Sequence, residues 1–261
     1  MPYHLAIVRW IVNIIFEIFN NWGKSMTGAF LLFLTLALLI LITVYAGKLT
    51  IPGALMGGLI AIALYFGTGF SSLLLLGGFF LLGTMATSWK FKQKAEHGFA
   101  EKNHGRRDIF QVIANGGVAG LLACIALIFP QYNELILLMI ASSFSAATAD
   151  TLSSELGTLY GSRFFNVITF SPDKRGENGV VSVEGLLIGL AGSCVIATIY
   201  AGFNFFEWHY VLIIVIAGTA GNVIDSILGA TLERNGKIQN NAVNFINTLS
   251  SALICWMLFL I

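Results

Sequence analysis

Charged residues are scarce in this sequence, and their scarcity decides the class of protein. Asp, Glu, Lys and Arg make up 10% of the 261 residues, whereas a soluble domain carries about 25%. Hydrophobic residues make up 57%, and the mean hydropathy is +0.83. The polar helix faces of a soluble helical solenoid are lacking, and so are the alternating segments of a transmembrane β-barrel. The composition therefore predicts an all-α, polytopic integral membrane protein.

Several familiar catalytic and metal-binding motifs are also lacking. The three cysteines lie in apolar runs without CxxC spacing, which indicates packing residues rather than a disulfide or a metal site. The four histidines form no HExxH motif, and neither a GxxxxGK[ST] loop nor a GxSxG elbow occurs. A zinc protease, a P-loop kinase and a serine hydrolase are therefore disfavoured.

The first 24 residues differ from the rest of the chain. They lack the basic start and the small-residue cleavage site of a signal peptide, and Arg9 and Glu17 interrupt their apolar pattern. We expect residues 1–24 to form an amphipathic, interfacial helix, with an additional membrane span as the alternative. Residues 25–261 are predicted to form one transmembrane domain.

Apolar runs in this domain are long enough to cross a bilayer, which takes about 20 helical residues. Gly- and Pro-containing turns separate most of them. The sequence predicts a bundle of about eight transmembrane helices, near residues 27–46, 51–69, 71–88, 112–130, 134–158, 183–203, 209–231 and 242–261.

The distribution of Lys and Arg predicts the orientation of the bundle. These residues concentrate in segments 90–111, 159–182 and 232–241, which follow the third, fifth and seventh predicted spans. The three segments therefore lie on one side, and the positive-inside rule makes that side cytoplasmic. We expect the protein to be integral to the cell (inner) membrane.

Two Gly-x-x-x-Gly pairs suggest an internal duplication. Gly53 and Gly57 begin one span, and Gly185 and Gly189 begin another. Each pair is followed by a second span, a basic segment and a third span. This pattern is consistent with two parallel three-helix repeats, 51–130 and 183–261, joined by helix 134–158. The alternative is that such glycine pairs are simply common in helix packing.

Three carboxylates lie in predicted spans. The stretch "SAATADTLSSELG" places Asp150 and Glu155 at the end of the fifth span, and Asp225 lies at a similar depth in the seventh. A carboxylate near the centre of a membrane costs about 2.5–3.5 kcal/mol. Such residues are expected to face the bundle interior, where they bind an ion, form structural ion pairs or carry protons or cations in a transporter.

The basic segments supply groups that bind anions. "GRRDIFQVIANGG" places Arg106 and Arg107 just before a span, and "SPDKRGENGVVSVEG" is a basic turn with three glycines, whose backbone N–H groups suit an anion. Predicted helix N-termini follow, with partial positive charge. Together with the carboxylates, these features suit Mg²⁺ and a phosphorylated ligand. The alternative for the two arginines is a topology signal or lipid-headgroup contact, and we interpret the lysines of "KFKQK" in that way.

Five stretches occur in an order that resembles a known family: "GRRDIFQVIANGG", "ATADTLSSELG", "GENGVVSVEGLLIGLAGS", "GNVIDSILGATLE" and "NNAVNFINT". From about residue 25 to the C-terminus, the chain resembles the domain-of-unknown-function 92 family, also called the transmembrane protein 19 family. That family includes the plant chloroplast phytyl-phosphate kinase, which makes phytyl diphosphate from phytyl phosphate and a nucleoside triphosphate. It is also distantly similar to CTP-using polyprenol kinases and CDP-lipid synthases. The resemblance implies nucleotide-dependent phosphoryl transfer to an isoprenoid phosphate.

These expectations combine into one hypothesis: a membrane-embedded kinase transfers a phosphoryl group from CTP or ATP to an isoprenyl or polyprenyl monophosphate at the cytoplasmic face. Asp150, Glu155 and Asp225 are the predicted catalytic residues and Mg²⁺ ligands, because phosphoryl transfer depends on charge neutralisation. The apolar space between spans takes the lipid tail. The predicted phosphate-binding residues are Arg106, Arg107, Gln111, Asn115, Lys174, Arg175, Ser182, Ser226, Asn241 and Asn244.

The rival hypothesis is an ion-coupled transporter or lipid flippase that uses the same carboxylates. A transporter should continue its polar residues toward the outer leaflet, whereas here they stop in the cytoplasmic half. The expected partners are the isoprenoid or another phospholipid-like substrate and membrane lipids, and no nucleic acid is expected.

Overall fold

The computed structural model describes residues 26–100, 103–204 and 207–261. The predicted interfacial helix, residues 1–24, lies outside them. Within the described residues, eight helices are long and apolar enough to cross a membrane, which confirms the predicted all-α membrane bundle. The helices are α1 (Met26–Tyr45), α2 (Ile51–Thr68), α3 (Phe70–Ser88), the short α4 (Phe91–Glu96), α5 (Ile109–Ile128), α6 (Asn133–Tyr160), α7 (Val183–Phe203), α8 (Trp208–Leu228) and α9 (Asn240–Phe259).

Polar caps fix where several of these helices begin. Thr50 accepts a hydrogen bond from the backbone three residues on (3.2 Å) at the start of α2, as Ser182 does (3.1 Å) at the start of α7. Asp108 and Gln111 form a reciprocal capping box at the start of α5. Such side chains satisfy N–H groups that the helix leaves without partners. They hold the polar ends of α5 and α7 in fixed positions.

Helix α6 is the centre of the bundle. It packs against α7, α8 and α9 and also against α3 and α5, and the stretch 140–149 is buried throughout. A Cβ atom at Gly157 would lie 2.8 Å from the Cα atom of Gly185, so α6 and α7 are in backbone contact, as small residues allow. The predicted repeats, 51–130 and 183–261, flank this helix, and their duplication stays a prediction.

A small hairpin closes one end of the bundle. Strands β1 (Phe164–Asn166) and β2 (Val180–Ser182) pair antiparallel. Gly179, with φ +74°, packs so closely on the turn after α8 that a Cβ atom there would lie 2.3 Å from the Ala230 nitrogen. The Arg234 guanidinium also donates to both carboxylate oxygens of Asp173, at 2.6 and 3.2 Å. The hairpin is thereby attached to the end of α8, which continues as a π-helical turn, Gly229–Glu233.

Helix α1 lies at the edge of the bundle. It packs mainly against α2, for example through Ile40, whose Cδ1 atom would lie 2.9 Å from a Cβ atom at Gly58. Most of its large apolar side chains are exposed, as expected for a helix that faces lipid. Its inner face, with α2 and α3, borders an apolar groove.

Candidate active site

The three basic segments meet at a polar cavity of about 1010 Å³ at one end of the bundle. Residues from 98–108, 176–182 and 238–241 line it, together with the C-terminal parts of α6 and α8. Among the described helices, α5, α7 and α9 each contribute their N-terminal residues to the wall. Helix N-termini carry partial positive charge and bind phosphate groups, so the wall is suited to an anion.

Two carboxylates from different helices come together in this cavity. Asp150 of α6 and Asp225 of α8 lie within hydrogen-bonding distance of each other. Asn247 of α9 contacts the same group, with its Nδ2 atom 3.5 Å from Asp225 Oδ2. Two ionised carboxylates at this separation repel each other, and a divalent cation between them removes the repulsion. The pair therefore fits an Mg²⁺ ion better than either residue would alone.

A buried polar layer supports the carboxylate pair. Ser153 Oγ donates to Asn222 Oδ1 at 3.1 Å, one turn from each of the two acids. Asn222 is 1% exposed and Asn247 is fully buried, so both side chains are fixed by packing. None of these three residues was predicted to belong to the site. The signal was present in "GNVID", where Asn222 lies on the same helix face as Asp225 at a spacing of three.

A further acid, Glu233, was also missed. It lies in the π-helical turn after α8, lines the cavity and interacts electrostatically with Asp225. Within the described part of the chain, however, no three Asp, Glu, His or Cys side chains come together as a metal site. The structure therefore shows a two-carboxylate centre with a third acid at its edge.

Glu155 occupies a different part of the wall from that expected. Its carboxylate accepts from the Nζ atom of Lys94, which is fully buried. The same Nζ atom donates to the carbonyl oxygens of Ala86 (3.0 Å) and Thr87 (2.9 Å) at the end of α3. Lys94 was interpreted as a topology signal, but it is a buried ion-pair partner. Glu155 therefore forms a structural ion pair, which was one of the alternatives that the sequence allowed for the carboxylates. Its role as an Mg²⁺ ligand stays a prediction.

The two neighbouring arginines point in different directions. Arg106 donates from Nε to the carbonyl oxygen of Leu49 at 2.9 Å and lies outside the cavity wall. Arg107 lines the cavity, with its Cζ atom 5.2 Å from the centre of the Phe79 ring. Its guanidinium lies against Gly83, where a Cβ atom would be 2.5 Å from Nη2. Only Arg107 of this pair is placed to contact a ligand in the cavity.

The two cationic side chains of the basic turn lie outside the cavity wall. The Lys174 side chain is 82% exposed and its Nζ atom lies 3.9 Å from Glu177. Arg175 lies over the rings of Phe99 and Phe164, at 4.7 and 5.5 Å, which attaches the 98–100 segment to the hairpin by cation–π contact. Neither side chain lines the cavity, whereas 176–182 does.

The remaining predicted residues all lie in the cavity wall. Gln111 and Ser182 use their side-chain oxygens as helix caps. Asn115 donates from Nδ2 to Gln111 O at 3.0 Å, while its Oδ1 atom is buried and has no hydrogen-bond partner among the described residues. The other members of this set are Ser226, Asn241 and Asn244.

The apolar groove beside α1 joins the polar cavity. Its volume is about 720 Å³, and it is lined mainly by apolar residues of α1, α2 and α3. Arg107, Gln111 and Asn115 belong to the walls of both spaces. The polar cavity and the apolar groove therefore meet at these three side chains.

Comparison with known proteins gives a family match and several similar membrane proteins. Residues 34–252 match the family described as integral membrane protein DUF92. The chain is 33% identical over 227 residues to Protein VTE6, chloroplastic, of Arabidopsis thaliana, covering 82% of this chain and 68% of that protein. It is 35% identical over 193 residues to an uncharacterized membrane protein of Methanocaldococcus jannaschii, covering 74% and 78%. A Synechocystis membrane protein, also uncharacterized, is 32% identical over 188 residues, covering 71% and 73%. No solved structure matches the chain.

Proposed function

The chain belongs to the DUF92 family of integral membrane proteins, and from that premise we propose that it is a lipid-phosphate kinase. It transfers a phosphoryl group from a nucleoside triphosphate, CTP or ATP, to an isoprenyl or polyprenyl monophosphate. In this proposal Mg²⁺ is required, and the polar cavity opens to the cytoplasmic side of the cell membrane. The resemblance to the phytyl-phosphate kinase family and the identity to a chloroplast relative support the choice of reaction.

The observation that carries the proposal is the Asp150–Asp225 pair inside a cavity bounded by helix N-termini. Mg²⁺ in enzymes that use nucleotides is typically bound by one or two carboxylates together with phosphate oxygens. These two residues would hold it, and it would neutralise charge on the transferring phosphoryl group. The cavity volume is at the upper end of the range for small-molecule sites, about 300–1,000 Å³. A nucleotide and the head of an acceptor therefore fit together.

The residues of the chain position the reacting groups. Arg107, at the junction with the apolar groove, binds the phosphate of the acceptor. The buried Asn115 Oδ1 atom accepts a hydrogen bond from a donor group of a bound substrate. Backbone groups of 176–182 and the start of α9, with Asn241 and Asn244, bind the phosphates of the nucleotide. Such an arrangement needs little covalent chemistry from the protein, because phosphoryl transfer depends on positioning and electrostatics.

The direct test is incubation of the purified protein with Mg²⁺, γ-labelled CTP or ATP and a panel of isoprenyl monophosphates. We expect labelled isoprenyl diphosphate. Asp225→Asn keeps the shape of the side chain but removes a charged ligand, and neutralisation by a metal is worth several kcal/mol, so turnover should fall by at least about 100-fold. Additional Mg²⁺ should restore part of it. Glu207→Gln, which removes a carboxylate at the opposite end of α8 and outside the cavity wall, is the control and should keep its activity.

Other results would support different functions. If the wild type consumes no nucleotide and Asp225→Asn abolishes ion-coupled flux, the protein is a transporter. If Asp225→Asn only lowers thermal stability, the pair is structural. A folded and fully active Asp225→Asn variant would remove this residue from the mechanism.

A further inference from the structure

We propose that the groove between α1, α2 and α3 binds the apolar tail of the acceptor while its phosphate lies at Arg107. The acceptor then reaches the polar cavity laterally, from the hydrocarbon layer. The inference rests on the proposed function for the identity of the acceptor. It adds the place where the tail binds, the route of entry and the residues that select tail length.

The shape and lining of the groove fit a long apolar chain. Its wall on α1 extends from Gly28 to Thr43, which is fifteen residues or about 22 Å at 1.5 Å per residue. That length is most of the roughly 30 Å hydrocarbon thickness of a bilayer. The groove therefore runs along the direction of the helices, and its volume of about 720 Å³ lies in the usual range for small-molecule sites.

Charge at one end of the groove defines the type of ligand. Arg107 is positioned by hydrogen bonds from its backbone N–H to Lys48 O (3.0 Å) and from Thr50 N to its own carbonyl (2.9 Å). Its guanidinium reaches between the groove and the cavity that contains the carboxylate pair. A guanidinium binds phosphate through planar, charge-assisted hydrogen bonds. A ligand with one anionic head and one apolar tail therefore satisfies both spaces at once.

Glycines keep the groove open. A Cβ atom at Gly57 or Gly77 would meet no atom within 4 Å, although both residues lie inside helices and line the groove. Gly57 is six residues after the start of α2, and Gly77 is eleven residues before the end of α3, which gives depths of about 9 and 16 Å from the polar end. Larger side chains at these positions should therefore block the groove at two different distances from Arg107.

These two positions allow a graded test with a matched control. Gly57→Leu should reduce kcat/KM for all but the shortest isoprenyl monophosphates. Gly77→Leu should reduce kcat/KM for four-isoprene and longer substrates by at least about tenfold and leave it unchanged for a two-isoprene substrate. The reason is that two methylene groups left unburied already correspond to about tenfold in affinity. Gly202→Leu on α7 is the control, because its Cβ atom also meets nothing within 4 Å and it lies outside the groove. An unchanged length profile in both groove variants would overturn the inference.

Photocrosslinking separates this inference from the proposed function. A geranylgeranyl monophosphate with a diazirine at the end of its tail is bound to the full chain in nanodiscs, without nucleotide. We expect crosslinks to Leu31 or Leu73 that are lost in Gly77→Leu and retained in Gly202→Leu. This result supports tail binding in the groove even if the wild type transfers no phosphoryl group. Turnover accompanied by crosslinks elsewhere refutes the groove and leaves the kinase standing. A phosphatidylglycerol diazirine probe that labels the groove equally well, and competes equally, makes it a bilayer-lipid site and also refutes the inference.

Discussion

Replacement of Lys94 by Met tests whether Glu155 serves the structure or a metal ion. The Lys94 side chain is fully buried and donates to Glu155 and to two carbonyl oxygens at the end of α3. Met retains much of its length and apolar character but leaves a carboxylate that is 10% exposed without its cation. Removing one partner of a buried ion pair costs about 3–5 kcal/mol, a large part of a typical stability of about 5–15 kcal/mol. The expected decrease in Tm is roughly 6–20 °C.

Unfolding in detergent micelles, followed by circular dichroism, measures the effect. Lys92→Met is the control, because Lys92 is an exposed residue of the same short helix and exposed substitutions usually change stability by less than about 0.5 kcal/mol. In the double variant with Glu155→Met, the carboxylate is removed as well. We expect the double variant to be more stable than Lys94→Met alone, because it leaves no unpaired buried charge.

Two results would contradict this reasoning. In the first, Lys94→Met is no less stable than Lys92→Met, which would remove the energetic role of the pair. In the second, Glu155→Gln raises the Mg²⁺ concentration that the proposed kinase activity needs and leaves the Tm unchanged. That second result would establish Glu155 as a metal ligand, as the sequence predicted.

Four further predictions follow from the contacts around the cavity. Gly83→Ala displaces the guanidinium of Arg107, so KM for the lipid phosphate should rise several-fold in a turnover assay while Tm changes little. Lys174→Glu should leave both the KM for the lipid phosphate and the Tm unchanged, since its side chain is largely exposed and lies outside the cavity wall. Gly179→Ala forces a Cβ atom against Ala230 at positive φ and should increase proteolysis of the hairpin; an unchanged digestion rate would argue against the close packing. Arg234 lowers the pKa of Asp173 to about 2, from an ordinary value of about 3.9. The Asp173–Arg234 ion pair therefore contributes fully to stability above about pH 4, and this contribution is lost as the pH falls toward 2. Asp173→Asn should remove this pH dependence from thermal unfolding curves.

The spans were predictable from sequence because apolar length and turn residues are local signals. Each predicted span corresponds to one helix, with ends that differ by at most three residues. The largest differences are at the start of α5 and the end of α8. At α5 the Asp108–Gln111 capping box begins the helix earlier than the apolar pattern does. At α8 the chain continues as a π-helical turn, which the 3.6-residue period does not reveal.

The candidate site was predictable only where topology determines proximity. Asp150 and Asp225 lie at similar depths on spans that run in the same direction, and the structure places their carboxyl groups together. The direction of a side chain in a loop has no such signal. Arg106 and Arg107 are adjacent in an extended segment, where successive side chains alternate, and only the contact with Leu49 determines which one faces the cavity.

Long-range pairs explain the rest of the difference. Lys94 and Glu155 are 61 residues apart, so neither the burial of the lysine nor the engagement of the carboxylate follows from local spacing. The contact between Arg175 and Phe99 also joins residues that are far apart in sequence, so local spacing does not predict it either. Proximity in sequence to the site therefore predicted a ligand for charged residues whose partners the protein itself supplies.

The central position of α6 also determines how the protein must be made. Its buried stretch carries Ser142, Ser143, Ser145 and Thr148, and Asp150 of the carboxylate pair follows directly after it. Polar groups of this kind are costly in lipid unless neighbouring helices receive them. During synthesis α3 and α5 are already in the membrane when α6 emerges, whereas α7, α8 and α9 are still to come. A nascent chain halted after α6 therefore exposes one polar face to lipid, and membrane chaperones and quality-control proteases should recognise it until the last three helices arrive.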